Sequence, residues 1–374
     1  MPIKVCHITT VHTSTDVRIF HKECKTLARE GYEVYLIAPH DKEEEIDGVH
    51  IIPLPQKSGR LYRFIFIKRI ALKKAKGLDA AIYHFHDPEM IFLGLKLKLS
   101  GKKVIYDVHE DVPAQILNKD WLGSLLFRKV ISKLFNTVEK WACRYFDGVV
   151  TVTNDIVRKF NMNKRTTLLR NLPSIDIIDE SKKLEVKREK FTMLYAGGLT
   201  EIRGIRELIQ AANYLNGQVE LLILGKWDDP EYKKECEGLE GWKYTKYLGF
   251  KPVKEVYSYM KSVDLGLCTL YPTLNHIKSS PVKAFEYMAC GIPILMSDFP
   301  CWLEAFEKNA IFVNPKNPKE MAEKIEGLVK NIENTRQLGL YNRQIVETMF
   351  SWEAEKINLI NLYKDILQDN SKIK

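Results

Sequence analysis

FTMLYAGGL, residues 191–199, decides the fold: an apolar run that closes on two glycines, it reads as a strand feeding a glycine-bearing loop. Downstream the chain alternates: a helix over 203–214, a strand over 219–224, a helix over 252–261, a strand over 264–269, a helix over 281–290 and a strand over 292–296. Upstream the same alternation has already run once. Strands are expected at 3–9, 34–38, 49–54, 80–84, 103–107, 148–152 and 166–170, with helices at 17–30, 61–76, 89–99 and 121–145 between them. Alternation of this kind builds parallel sheets covered by helices on both faces. A chain of 374 residues also exceeds what one hydrophobic core usually holds. Two Rossmann-like α/β halves follow.

The halves are joined by RNLPSIDIIDESKKLEVKREK (170–190), which is polar, contains Pro173 and lacks either periodicity. The expected division is therefore a domain over 1–170, an interdomain linker over 171–190 and a second domain over 191–350. An amphipathic helix over 351–374, opened by FSWEAEK, ends the chain. Neither half carries the GxGxxG turn of a dinucleotide-binding unit, since the loops read ITTVHTSTD and AGGLTEIRG, so nicotinamide or flavin chemistry is not expected.

Seven cysteines at 6, 24, 143, 236, 268, 290 and 301 show no CxxC spacing, which argues against a disulfide framework or a zinc site. The amino terminus runs straight into a strand, and no long uncharged apolar segment follows, so a cytoplasmic protein is expected. The net charge of +9 is unevenly placed. Residues 1–172 hold 29 Lys/Arg against 19 Asp/Glu, whereas 173–374 hold 28 against 29. An anionic partner or surface for the first half is the implication.

KSSPVKAFEYMACGIPILMSD (278–298) carries the most chemistry. Ser280 is placed as an N-cap and Pro281 as the first helical residue, ahead of Val282, so unpaired amides would face a phosphate. Lys283 adds a cation, and Glu286 at i+3 could grip two ribose hydroxyls. An exposed Lys283–Glu286 ion pair on an ordinary helix explains the same letters. In GGLTEIRGIRELI, Arg203 precedes Gly204 at a helix start and offers a second phosphate contact, or is a solvated surface arginine.

Several segments, in this order and spacing, make the whole chain resemble the family 4 retaining glycosyltransferases. They are HITTVHTSTDVRIFHKECKTLAREGYEVYLIAP, YDVHED, AGGLTEIRG, YLGFKPVKEVYSYMKSVDLGLCTL, FEYMACGIP and FSWE. The resemblance implies the GT-B fold, in which two Rossmann-like domains face across a deep cleft and the C-terminal helix crosses back to the N-terminal domain. It also implies transfer of a hexose-type sugar from a nucleotide diphosphate donor, UDP favoured, with retained configuration. The acceptor would be a glycan or a lipid-linked molecule, as in cell-surface polysaccharide synthesis.

By the same resemblance, Arg203 and Lys283 lie on the diphosphate, Glu286 holds the ribose, and Gly249 and Phe250 lie near the base. Gly198, Lys226, Lys278, Ser280, Pro281 and Val282 complete the donor set, and His109 and Glu286 are the catalytic candidates. Acceptor candidates are His12, Asp16 and Arg18 after the first strand and His86 and Asp87 after the fourth, each of which could equally stabilise its loop. Lys278 stands where such proteins commonly have a glutamate, and Gly198 where they commonly have a basic residue. No metal or other cofactor is expected: Asp228–Asp229 in GKWDDPEY reads as a turn and helix start rather than a magnesium ligand pair. An epimerase of the same architecture and a non-catalytic donor-binding subunit stay open as alternatives.

SGRLYRFIFIKRIALKKAKG (58–77) puts Leu61, Phe64, Ile65 and Leu72 on one arc and mixes Arg63, Lys73 and Lys74 with Phe66, Ile67 and Ile70 on the other. The second arc suits an anionic membrane surface, and a peripheral position on the inner membrane face is expected; a buried helix in a basic protein is the competing reading. Nucleic acid is not expected, since no recognition motif accompanies the charge.

Overall fold

The computed structural model describes residues 2–56, 66–117, 119–184, 189–273, 276–277 and 279–369. Lys278 lies outside them, as do Leu61, Arg63, Phe64 and Ile65 of the basic segment. The chain divides into two units: Met1–Asn171 with Glu355–Lys374, and Leu172–Ala354.

The first unit is built on strands β1 (Lys4–Ile8), β2 (Glu33–Pro39), β3 (Glu44–Ile46), β4 (Val49–Leu54), β5 (Ile82–Phe85), β6 (Lys103–Val108), β7 (Gly148–Thr151) and β8 (Thr166–Leu168). They order as β3-β4-β2-β1-β5-β6-β7-β8, parallel except for the β3–β4 hairpin. β5 and β7 are buried along their whole length, as strands with helices on both faces must be. The register sets His7 of β1 opposite His84 of β5, which brings two histidines of distant sequence side by side.

The second unit holds β9 (Phe191–Ala196), β10 (Val219–Leu224), β11 (Thr245–Tyr247), β12 (Leu265–Cys268), β13 (Ile294–Ser297) and β14 (Ile311–Val313), all parallel in the order β11-β10-β9-β12-β13-β14. Leu194 and Ala196 of β9 face one core and Met193 and Tyr195 the other, the period-2 alternation of a sheet covered on both sides.

Four expectations need correction. The stretch 171–190 is not a plain linker: Ser174 caps a helix over Ile175–Glu180 whose Ile177 and Ile178 enter the second unit's core, because two apolar side chains suffice to dock so short a helix. The first helix begins with π geometry over Val17–Cys24 before turning α over Lys25–Arg29; Asp16 accepts from the amides of Arg18 and Ile19 at its start. The helix of the FEYMACGIP motif spans Val282–Ala289 with Pro281, not Ser280, at its N-cap. Pro281 has no N–H to offer, and its carbonyl accepts instead from Ala284. Finally, the helix Lys68–Leu78 buries Ile67, at its N-cap, in the first unit's core, and Ile70 packs there too, so most of the described apolar side chains of the arc read as a membrane face are core.

The last helix, Trp352–Gln368, belongs to the first unit from Glu355 onward. Glu355 takes a hydrogen bond from the Arg170 amide at 2.7 Å and a two-pronged one from its guanidinium at 3.1 and 2.7 Å.

Candidate functional sites in the two units

In the second unit, the carboxyl ends of β9 and β10 open on a cleft of about 360 Å³ lined in part by Gly197, Gly198, Lys226, Phe250 and Lys283. That is where ligands bind in doubly wound sheets. Close backbone approach shapes its floor. Gly225 has φ 154°, and a Cβ there would lie 1.8 Å from the Gly197 carbonyl oxygen, so only glycine fits. The Gly249 carbonyl accepts from the Gly225 amide at 2.9 Å, which ties the β11 loop to this floor. The Lys226 ammonium sits 4.6 Å from the Phe250 ring centroid, a cation–π contact beside an exposed aromatic face.

Lys283 and Glu286 bond each other at 2.5 Å, the i,i+3 ion pair that the sequence also allowed. Glu286 is only 7% exposed, and its other oxygen accepts from the Tyr257 hydroxyl at 3.2 Å. The carboxylate is thus held in place from two sides while Lys283 reaches the cleft. Arg203 stands at its edge: a Cβ on Gly198 would lie 3.7 Å from its Nε. Burial pushes the neighbouring Tyr195 hydroxyl up to about 12, against the opposing pull of Arg203. Asp229 caps the helix Pro230–Glu237 by accepting from Glu231, while Asp228 lies on the cleft wall.

In the first unit, a polar network fills the space beneath the loops after β1, β5 and β6. Arg18 is fully inside, donating from Nε and Nη2 to Asp107 at 3.0 Å each and from Nη1 to the Leu169 carbonyl, with Glu23 3.0 Å from its Nε. Burial works against the Asp107 charge, but Arg18 and then His109 hold its carboxyl well below the usual range. The reverse holds for Glu23, which burial and the Asp107 charge push well above it. His86 joins Asp107 at 3.2 Å and His7 at 2.9 Å, and Tyr363 of the last helix bonds both His7 and His84 at 3.0 Å. Burial lowers His86 to about 4 and His7 and His84 well below the usual imidazole value.

His109 crowns this network. Its Nε2 lies 2.9 Å from Asp107, and 19% of its side chain is exposed. His12, 5.3 Å away ring to ring, pairs with Asp16 at 3.3 Å. Burial opposes its charge, yet the Asp16 hydrogen bond and the Asp16, Asp87 and Asp107 charges leave its pKa raised.

Of the five acceptor candidates, the structure leaves His12 and Asp16 partly exposed, 32% and 26% of their side chains. Arg18, His86 and Asp87 are buried, Asp87 being consumed by Thr9 and Thr10, because loop-proximal polar side chains on a parallel sheet turn inward when partners are available. Sequence reasoning missed Asp107, Glu23, His7, His84 and Tyr363; only the closeness of Asp107, near the end of β6, to His109, just past it, signalled a link. Among the described residues, two groups bring ligand-type atoms within 4.8 Å of one another and could hold a metal: His7, Glu23, His84 and His86, and His86, Asp107 and His109. The Arg18 guanidinium, in contact with both carboxylates, supplies positive charge where such an ion would sit.

The chain thus holds two α/β units, each presenting polar side chains at its strand ends. Residues 176–345 match the family described as Glycosyl transferases group 1 and residues 17–164 match Glycosyltransferase Family 4; the chain belongs to this glycosyltransferase family and has its GT-B fold. Among curated relatives, spore coat protein SA of Bacillus subtilis is 27% identical over 190 residues, 47% of this chain and 49% of that protein. The N,N'-diacetylbacillosaminyl-diphospho-undecaprenol alpha-1,3-N-acetylgalactosaminyltransferase of Campylobacter jejuni is 24% identical over 153 residues, 40% and 38% of the two chains. The matches span between 38% and 63% of the curated relatives' length. Among solved structures, sucrose-phosphate synthase of Thermosynechococcus elongatus superposes with a TM-score of 0.75 at 17% identity, covering 98% of this chain and 99% of that one. Anabaena HepE, solved with UDP and glucose, does so at 0.70 and 14%, covering 97% and 100%. Among the described residues, no helix is long and apolar enough to cross a membrane.

Proposed function

We propose that this chain is a retaining glycosyltransferase that moves a hexose-type sugar from a UDP-sugar to a glycan or lipid-linked acceptor. The observation that carries the reading is the cleft at the ends of β9 and β10, where Lys226 and Lys283 converge on a glycine floor with Arg203 at its edge. Its size suits a nucleotide. A departing nucleoside diphosphate gathers negative charge, and these cations stabilise it without calling for a metal. In this reading Glu286, held by Lys283 and Tyr257, takes the ribose hydroxyls, and His109, held by Asp107, is the catalytic candidate. On the retaining route the leaving phosphate accepts the proton of the attacking hydroxyl.

Support for UDP and for a lipid-linked acceptor comes from the Anabaena structure and the Campylobacter relative respectively. Calorimetric titration with UDP, GDP and ADP, repeated on Glu286→Ala, tests the donor half. UDP is expected to bind preferentially and to weaken at least tenfold in the variant. If none of the three binds, the reading fails.

A further inference from the structure

The helix Leu125–Cys143 has one buried face and one exposed apolar face. Started by the Ser124 hydroxyl, which accepts from the Phe127 amide, it buries Ser132, Glu139, Ala142 and Cys143 against the first unit. At about 100° per residue, the opposite arc collects Leu126, Phe127, Val130, Leu134, Trp141 and, just past the helix end, Tyr145. All six are exposed, Leu126 by 74% and Leu134 by 63%, and Trp121 is 63% exposed just ahead of the helix. Trp141 and Tyr145 form an edge-on pair with ring centroids 5.3 Å apart. At about 1.5 Å per residue the stripe runs on the order of 28 Å along the surface. Single exposed apolar side chains are ordinary, but six on one arc, interrupted by Thr137, mark an interaction surface.

Charge identifies the partner. Lys129, Lys133 and Lys140 lie along one border of the stripe, with Arg144 beyond them, and the one acidic residue from Trp121 to Tyr145 whose side chain is described, Glu139, is buried and paired with Lys159. A row of cations beside aromatic and branched side chains matches an anionic lipid bilayer, in which the apolar groups enter the acyl boundary and the ammonium groups meet headgroups. Tyr and Trp rings, with an apolar body and a polar tip, suit that depth.

We propose that the stripe on Leu125–Cys143, and not the helix Lys68–Leu78, is the face by which the protein lies on an anionic membrane. The proposal rests on the lipid-linked acceptor reading and specifies the surface that would bring the enzyme to such a substrate.

Flotation of the full chain with vesicles of phosphatidylcholine, alone or mixed with phosphatidylglycerol, tests it. Partition is expected only onto the mixed vesicles. It should weaken between about 0.1 M and about 1 M salt, as the Debye length falls from about 10 Å to about 3 Å. Leu126→Glu with Leu134→Glu should lower it at least tenfold. Both side chains are largely solvated, so UDP titration and thermal melting of the variant should match the parent. Absence of partition, equal partition onto neutral vesicles, or an unchanged variant would overturn the proposal. Sedimentation velocity that shows a dimer dissociated by the same substitutions, without flotation, would assign the stripe to a second copy. Because UDP titration reports the donor site independently, a non-floating protein that still binds UDP refutes the membrane face alone.

Discussion

Removing the Arg18 guanidinium strands the buried Asp107 carboxylate and takes a partner from Glu23. Arg18→Ala is therefore expected to lower unfolding free energy by about 3–5 kcal/mol, the usual cost of orphaning a buried charge, measured by urea denaturation; a loss under about 1 kcal/mol would contradict the network. The histidines beneath it set a pH dependence. His7, His84 and His86 stay neutral in the folded chain below pH 6.5, His86 down to about 4, while the unfolded chain takes up protons at all three. Stability then rises with pH across that window, by up to about 1.4 kcal/mol per pH unit for each ring. Glu23, raised in the folded chain, acts in the opposite sense above 4.5 and offsets part of the slope. The urea midpoint should fall as pH drops from 6.5 toward 4.5 and fall less steeply in His84→Asn. His109, Lys283 and Glu286 were legible as candidates because each sits beside a loop or helix end that sequence marks. The network under His109 was not, since its partners, among them Glu23, His84 and Tyr363, meet only through strand register and a helix from the far end of the chain.

At the level of single elements, the cleft floor depends on how closely the loops after β9 and β10 approach. Gly225→Ala would drive a methyl group into the Gly197 carbonyl, in a backbone region alanine avoids. The loops must separate, and UDP affinity is expected to fall at least tenfold while far-ultraviolet circular dichroism stays near that of the parent; unchanged affinity would mean that the floor does not touch the ligand. The longer strands could be read from the letters because an apolar run bounded by turn residues has few alternatives. β3, β11 and β14, three residues each, were not read, although β8, equally short, was. The π turns over Val17–Cys24 escaped because their amphipathic pattern resembles that of an α-helix. Pro281 was misread by one position because Ser280 and Pro281 both carry helix-start signals, and only the hydrogen bonds separate them.

For the molecule as a whole, each unit holds its own buried core, Val5 to Leu169 with Leu359 to Ile366 in one and Leu172 to Val346 in the other. Domains with separate cores can melt separately. Differential scanning calorimetry is expected to resolve two transitions, and a ligand confined to the folded second unit can stabilise only that one. With UDP at about 100 times its dissociation constant the gain is about 2.7 kcal/mol. The other transition should not move with UDP and should be the one that Arg18→Ala lowers. The first unit is closed by the chain's last helix, where Glu355 binds Arg170 and Tyr363 binds His7 and His84. Ending the chain before Glu355 should therefore abolish the UDP-insensitive transition and leave the UDP-sensitive one, even though the deleted residues lie nearly 200 positions from Arg170 in sequence. A single transition that UDP shifts as a whole would instead show that the two cores unfold as one.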